Sequence, residues 1–294
     1  MPENEVTGWI NEAESKWLTV LKKYIKEEFS KVFLPSHDHL HHLRVWNISK
    51  ELLLTISEFN NLINKELIEG ALISAMFHDL GMIKTRGKEH GLLSRKLCQT
   101  YFNENNTGIP PLFPEILNAI EVHDRKGDYC FPPFEPGSVP SLDTILTVAD
   151  DLDALGTNGI YRYAEIYLHR DIPVEKLGIE VLENLSGRFA NLSYTCQTCP
   201  SLLKKYKPLY SEVISFYDKY NQQILSDPVP VTTFSGHIGI INLIRKLSLT
   251  NKIGPEFFHL YVSFEENGRI VYEFFRKLKE EYEGYRRDFD LSLS

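Results

Sequence analysis

The segment "ALISAMFHDLG", Ala71 to Gly81, limits most tightly how this chain can fold. Leu67, Ala71, Leu72, Ala75 and Met76 recur at helical spacing and run directly into an adjacent imidazole and carboxylate, His78 and Asp79. An amphipathic helix that ends this way carries two ionisable groups to the edge of a core, with Gly81 as its expected stop. An unpaired charge there is costly, so the fold must bring compensating groups to His78 and Asp79.

Two other segments have the same character. "SHDHLHHLRVW", Ser36 to Trp46, crowds His37, Asp38, His39, His41 and His42 together and reads equally as a metal site, part of one, or a polar helix start. Val45 and Ile48 face a core near His41, which aims that imidazole inward. In "TVADDLDALG", Thr147 to Gly156, Asp150 falls where the apolar period calls for a buried contact, and Asp153 follows one turn on. His41, His78, Asp79 and Asp150 are the ligand types that a divalent transition metal takes from a protein. Taken singly, each reads more plainly as a satisfied core or capping residue; their order and context together favour the metal.

Helical spacing dominates elsewhere. Trp9, Ile10, Trp17, Leu18, Leu21, Tyr24, Ile25 and Phe29 form one stripe, and Val45, Ile48, Leu52 and Ile56 another. Helices are also expected from about 88 to 102, through Ile116–Ile120, from Ser141 (a cap) through Leu152, and near 174–189, 202–225, 238–249 and 256–282. Asn267-Gly268 could mark a β-hairpin; because Pro255 suits a helix start and Val271, Phe275, Leu278 and Tyr282 continue a helical face, two helices broken at that pair are expected instead. An all-α fold follows. With 294 residues and a soft prior of about 100–200 residues per domain, the chain is expected to hold one helical domain over 1–225 and a mainly helical extension over 226–294, joined by "LSDPVPVTTFSG".

A formal charge of −8 gives no global basic footprint, which disfavours a nucleic-acid partner, although a bound cation can reverse the field within one cleft. No apolar run approaches a membrane span and the N-terminus has no secretory pattern, so a cytoplasmic protein is expected. Cys196 and Cys199, in "CQTC", would make half of a zinc ribbon; with no second pair, a loop with reduced thiols is favoured.

"HDHLHHLRV", "ALISAMFHDLGM" and "TVADDLDALG", in that order, resemble the successive signatures of the HD-domain superfamily of metal-dependent phosphohydrolases, over about 35–163. "DDLDALGTNGIYR" further resembles a small bacterial branch with a downstream arginine, here Arg162. The resemblance implies an all-α bundle with a metal held by His41, His78, Asp79 and Asp150, the cation being Mn²⁺, Fe²⁺, Ni²⁺, Co²⁺ or Zn²⁺, with Mg²⁺ as an additional candidate. It implies no ligand role for His37, His39 or His42, and leaves His37 as a partner that orients a ligand.

The implied chemistry is attack of metal-activated water on a phosphate ester of a nucleotide or another small phosphorylated molecule. Asp79 would also hold that water; the sequence does not identify a general acid. Lys84, Arg86, Lys88, Arg125 and Lys126 are candidate phosphate contacts, although loop charges of this kind are as readily solvated; Arg162 has the better claim, because the resemblance places it near the pocket. His90 and His123 stand at predicted helix ends with reasons to point inward, as phosphate contacts or as a weak second metal site; one tightly bound metal is favoured over two. Two further readings stay open: an HD-fold di-iron oxygenase, and a binding or regulatory module without turnover. The extension could gate the site or make a homodimer contact.

Overall fold

A computed structural model of the protein describes residues 3–87, 89–105, 108–124, 131–227 and 230–291. These residues form helices joined by turns, with no strand among them, as the periodicities predict. Packing divides the chain into two compact units, Met1–Asp153 with Arg188–Lys204, and Ala154–Gly187 with Lys205–Ser292.

In the first unit α1 (Glu3–Ala13) passes through a π turn, Glu14–Leu18, into α2 (Thr19–Phe29). Then come α3 (His39–Ser57), α4 (Lys65–Phe77), α5 (His90–Glu104), α6 (Phe113–Val122) and α7 (Leu142–Asp153). The centre is α4, which Asn64 caps by accepting the Leu67 amide at 2.9 Å. Every residue from Gly70 to Phe77 is buried, because α1, α2, α3, α6 and α7 all pack on this helix. The His-Asp pair therefore follows directly on a run of eight buried helical residues. The π turn serves the same packing: Glu14 accepts hydrogen bonds from Trp46 Nε1 at 2.8 Å and Lys50 Nζ at 2.7 Å, and Trp17 Nε1 donates to Glu69 at 2.7 Å.

Gly81 has a different task from the helix stop expected of it. The helix ends earlier, at Phe77, and Gly81 lies within a 3-10 turn, Leu80–Ile83. A Cβ at Gly81 would stand 2.1 Å from the backbone oxygen of His90 and 2.8 Å from the Ser94 amide, while the Gly81 amide donates to Ser94 Oγ at 2.7 Å. Only a residue without a side chain lets the start of α5 come this close to the segment after Asp79.

The second unit holds α8 (Gly156–His169), most of α9 (Val174–Thr195) and α10 (Pro200–Ser226), then α11 (Gly236–Ile244) and α12 (Phe264–Leu291), with α8 and α11 both packed on α12. The boundary expected at 225 matches the end of α10 but neither unit's border. Helical spacing shows that α8, α9 and α10 each bury a face, not which neighbours bury it. Pro228 and Val229, in the expected linker, lie outside the described residues. The break expected at Asn267-Gly268 is present: Gly268 adopts φ 79° and ψ 170° inside the span of α12, and Pro255 opens a 3-10 segment, Pro255–Tyr261. That region of backbone space is essentially restricted to glycine. Gly268→Ala is therefore expected to lower stability by about 1–3 kcal/mol, measured by urea unfolding; unchanged stability would contradict the observed conformation.

"CQTC" forms the junction of α9 and α10. The Cys199 amide donates to the Cys196 carbonyl at 2.8 Å, and Thr195 and Thr198 bond the backbone of Phe131 and Phe134, fixing that loop. Cys98, Cys196 and Cys199 are buried and not disulfide-bonded; Cys130 lies outside the described residues. No helix among the described residues is long and apolar enough to cross a membrane.

Candidate metal centre

The histidine-rich segment assigns a separate job to each residue. Asp38 is the helix cap of α3, its carboxylate accepting the amides of Leu40 at 2.9 Å and His41 at 3.3 Å. His41 thus sits in the first turn, fully buried. His37 hydrogen-bonds Ser36 Oγ through Nδ1 at 2.6 Å with its ring centroid 5.3 Å from that of His41, and His42 donates from Nδ1 to the Ala75 carbonyl at 3.2 Å.

His41, His78, Asp79 and Asp150 converge from α3, the end of α4, and α7, all buried. His41 Nε2 lies 3.0 Å from His78 Nε2, 3.3 Å from Asp79 Oδ2 and 3.6 Å from Asp150 Oδ1; His78 Nε2 lies 3.5 Å and 3.9 Å from the same two oxygens. The other oxygen of Asp79 faces a second group: its Oδ1 is 3.0 Å from His123 Nε2 and 3.2 Å from His90 Nε2, and those two nitrogens are 3.4 Å apart. Bond lengths of about 2.0–2.2 Å to one cation put neighbouring donors about 3.0–3.5 Å apart, so both donor sets fit a metal ion. Asp79 belongs to each.

Hydrogen bonding fixes which face each imidazole presents. Nδ1–H donates to the Ala75 carbonyl from His78 at 2.9 Å, to Gly87 from His90 at 2.7 Å, and to Ile120 from His123 at 2.8 Å. From His41 it donates to the Asp153 carboxylate at 2.8 Å. A neutral imidazole bound in this way presents a bare lone pair at Nε2. Two such lone pairs facing one another at 3.0 Å, beside two carboxylates, repel unless a positive charge lies among them. The buried Asp79, His41, His78 and Asp150 could accordingly hold a divalent metal.

Electrostatics separate the two groups. Burial pushes the His78 imidazole down to about 3, against the opposing pull of Asp79. Burial alone would raise the Asp79 carboxyl, but the imidazoles around it, His78 first and then His123, His41 and His90, hold it well below the usual carboxylate range. At neutral pH the first group thus combines a neutral His78 with an ionised Asp79 and is poised for a cation. His90 differs: burial lowers it, but the bond and charge of Asp79, with Asp124 and the Gly87 carbonyl, bring it up to about 9. A proton there takes the place that a cation would otherwise fill. Cation uptake at the second group should therefore release a proton and tighten, by up to about tenfold per pH unit, as pH rises. Titrations at several pH values check this; pH-independent uptake would contradict it.

Among the remaining candidates, Lys84 follows the 3-10 turn and is exposed, and Arg86 is half-buried. Arg162 is buried in α8, in the second unit. Lys88, Arg125 and Lys126 lie outside the described residues. Sequence reasoning left two residues at the first group without a role, Arg44 and Asp153. Arg44 Nε and Nη2 donate to the Asp153 carboxylate at 2.7 and 3.1 Å, beside its bond to His41. The signal was present in the spacing: Arg44 follows His41 by three residues and Asp153 follows Asp150 by three, which places both pairs one turn along facing helices.

Residues 40–155 match the family model described as HD domain. Comparisons with curated proteins and with solved structures gave no match.

Proposed function

We propose that this chain, whose residues 40–155 match the HD-domain family model, is a metal-dependent phosphohydrolase acting on a nucleotide or another small phosphorylated molecule. The observation that carries this reading is the pair of donor sets joined by Asp79, with every histidine Nε2 turned inward and every Nδ1 engaged elsewhere. A divalent cation bound there acidifies water and offsets phosphoryl charge.

The chain's own residues do the rest. His41, His78, Asp79 and Asp150 bind one cation tightly; Asp79, His90 and His123 form a weaker second site that competes with the proton on His90. When that proton is present, His90 is a charged donor for a phosphoryl oxygen. Asp79, ionised and facing imidazoles on both sides, orients the attacking water. Lys84 and Arg86 are offered as phosphate contacts, and the cation is Mn²⁺, Fe²⁺, Ni²⁺, Co²⁺ or Zn²⁺.

The test is phosphate release from a panel of nucleoside mono-, di- and triphosphates and small non-nucleotide phosphate esters by metal-stripped protein, with each cation added in turn. Cation-dependent release from at least one of them supports the reading; no release from any of them contradicts it. The variant His90→Ala, His123→Ala is expected to keep the tight cation and lose the weaker one, with activity reduced by about 10–1000-fold. Loss of the tight cation instead would contradict the division into two sites. Asp79 bridging two histidine-containing groups is also what a dinuclear oxygen-activating centre requires. Iron-dependent colour and oxygen uptake without phosphate release would select that reading.

A further inference from the structure

The Arg44–Asp153 pair is buried where the apolar faces of α3 and α7 meet, Asp153 being 6% and Arg44 6% exposed. A buried ion pair is a weak source of stability, since apolar residues of similar volume commonly do as well. Its geometry points elsewhere. Asp153 Oδ1 receives Arg44 Nε, while Oδ2 receives both Arg44 Nη2 and His41 Nδ1. Arg44 thus holds the carboxylate in one orientation and leaves it aimed at the imidazole.

His41 is also the exception among the four converging histidines. His78, His90 and His123 each donate Nδ1–H to the carbonyl three residues earlier, a local arrangement needing no particular side chain. Three residues before His41 stands Asp38, whose carbonyl accepts the His41 amide, and the His41 ring turns instead to α7. A carboxylate partner makes an imidazole a more basic ligand than a neutral carbonyl does, and fixes its tautomer and ring plane. The contact also joins the two helices that supply His41 and Asp150, one turn from the point where those ligands approach to 3.6 Å.

We propose that Asp153 is a positioning residue: acting through His41, and itself oriented by Arg44, it makes the first donor group the stronger cation site. The proposal rests on the reading of that group as a metal site and is independent of the reaction catalysed there.

The experiment is titration of metal-stripped full-length protein with Mn²⁺, for the wild type, Asp153→Asn and Arg44→Met, with unfolding curves for each. Asp153→Asn is expected to weaken the tightest equivalent by about 10–100-fold. Arg44→Met breaks the same ion pair but leaves a carboxylate on His41, so it should lose less affinity than Asp153→Asn even where it loses more stability. Equal affinity losses in the two variants, or affinity tracking stability, would mark a structural pair and overturn the proposal.

A measurement on the wild type alone guards against a variant that does not fold. In Zn²⁺-loaded protein the Nδ1 proton of His41, bonded to a carboxylate, should resonate further downfield than that of His78, bonded to a carbonyl; the reverse order overturns the proposal. Wild-type protein that binds no Mn²⁺ defeats the metal reading itself. Wild-type binding with an unaltered Asp153→Asn variant defeats only the role given to Asp153.

Discussion

Asp79→Ala is expected to remove both proposed cation sites at once. Its Oδ2 faces His41 and His78 at 3.3 and 3.5 Å, and its Oδ1 faces His123 and His90 at 3.0 and 3.2 Å, and among the described residues no other side chain belongs to both groups. Stoichiometric Mn²⁺ binding should disappear, and phosphate release should fall by roughly a thousandfold or more. The helices should survive, because α4 is held by apolar contacts along its whole length rather than by the groups at its end. Circular dichroism, metal content and turnover measured on one preparation decide the matter. A variant with normal helicity, metal and turnover would remove Asp79 from the centre. Loss of one cation with the other retained would show that the groups do not share it.

The second large effect is expected at Gly81, which provides no ligand. A methyl group there would stand 2.1 Å from the His90 carbonyl oxygen, and a backbone atom cannot swing aside as a long side chain can. The start of α5 must move away, carrying His90 with it, and Gly81→Ala should destabilise the protein by about 3 kcal/mol, at the upper end for overpacking. The weaker cation equivalent should be lost before the tight one, because His41, His78 and Asp150 reach the centre without α5. Unfolding curves and a Mn²⁺ titration check both parts. Unchanged stability would contradict the close approach, and selective loss of the tight equivalent would contradict the assignment of His90 to the second group.

Much of this was legible in the sequence. An apolar run that closes on His78 and Asp79 fixes a buried helix with a polar end, and the positions of His41 and Asp150 on their own stripes supply its complements. These inferences depend on local spacing, which helices impose directly. The break at Gly268 was readable for the same reason. What spacing could not supply was the partner of each face: α8, α9 and α10 show apolar stripes like those of α1 to α7, yet most of their residues belong to another packing unit. Gly81 was misread because a glycine after an apolar helix looks like a stop, whereas its task is a contact with residues nine and more positions away. Asp153 is legible as a carboxylate one turn after Asp150, but its role depends on Arg44 and His41, more than a hundred residues earlier.

Metal-stripped wild-type protein titrated with Mn²⁺ at neutral pH decides whether the buried histidines and aspartates form a metal centre. One tight equivalent, lost on His41→Ala or His78→Ala, is expected, followed by a weaker one that strengthens as pH rises. A titration showing no stoichiometric binding, or tight binding that persists when both His41 and His78 are replaced by alanine, would contradict it.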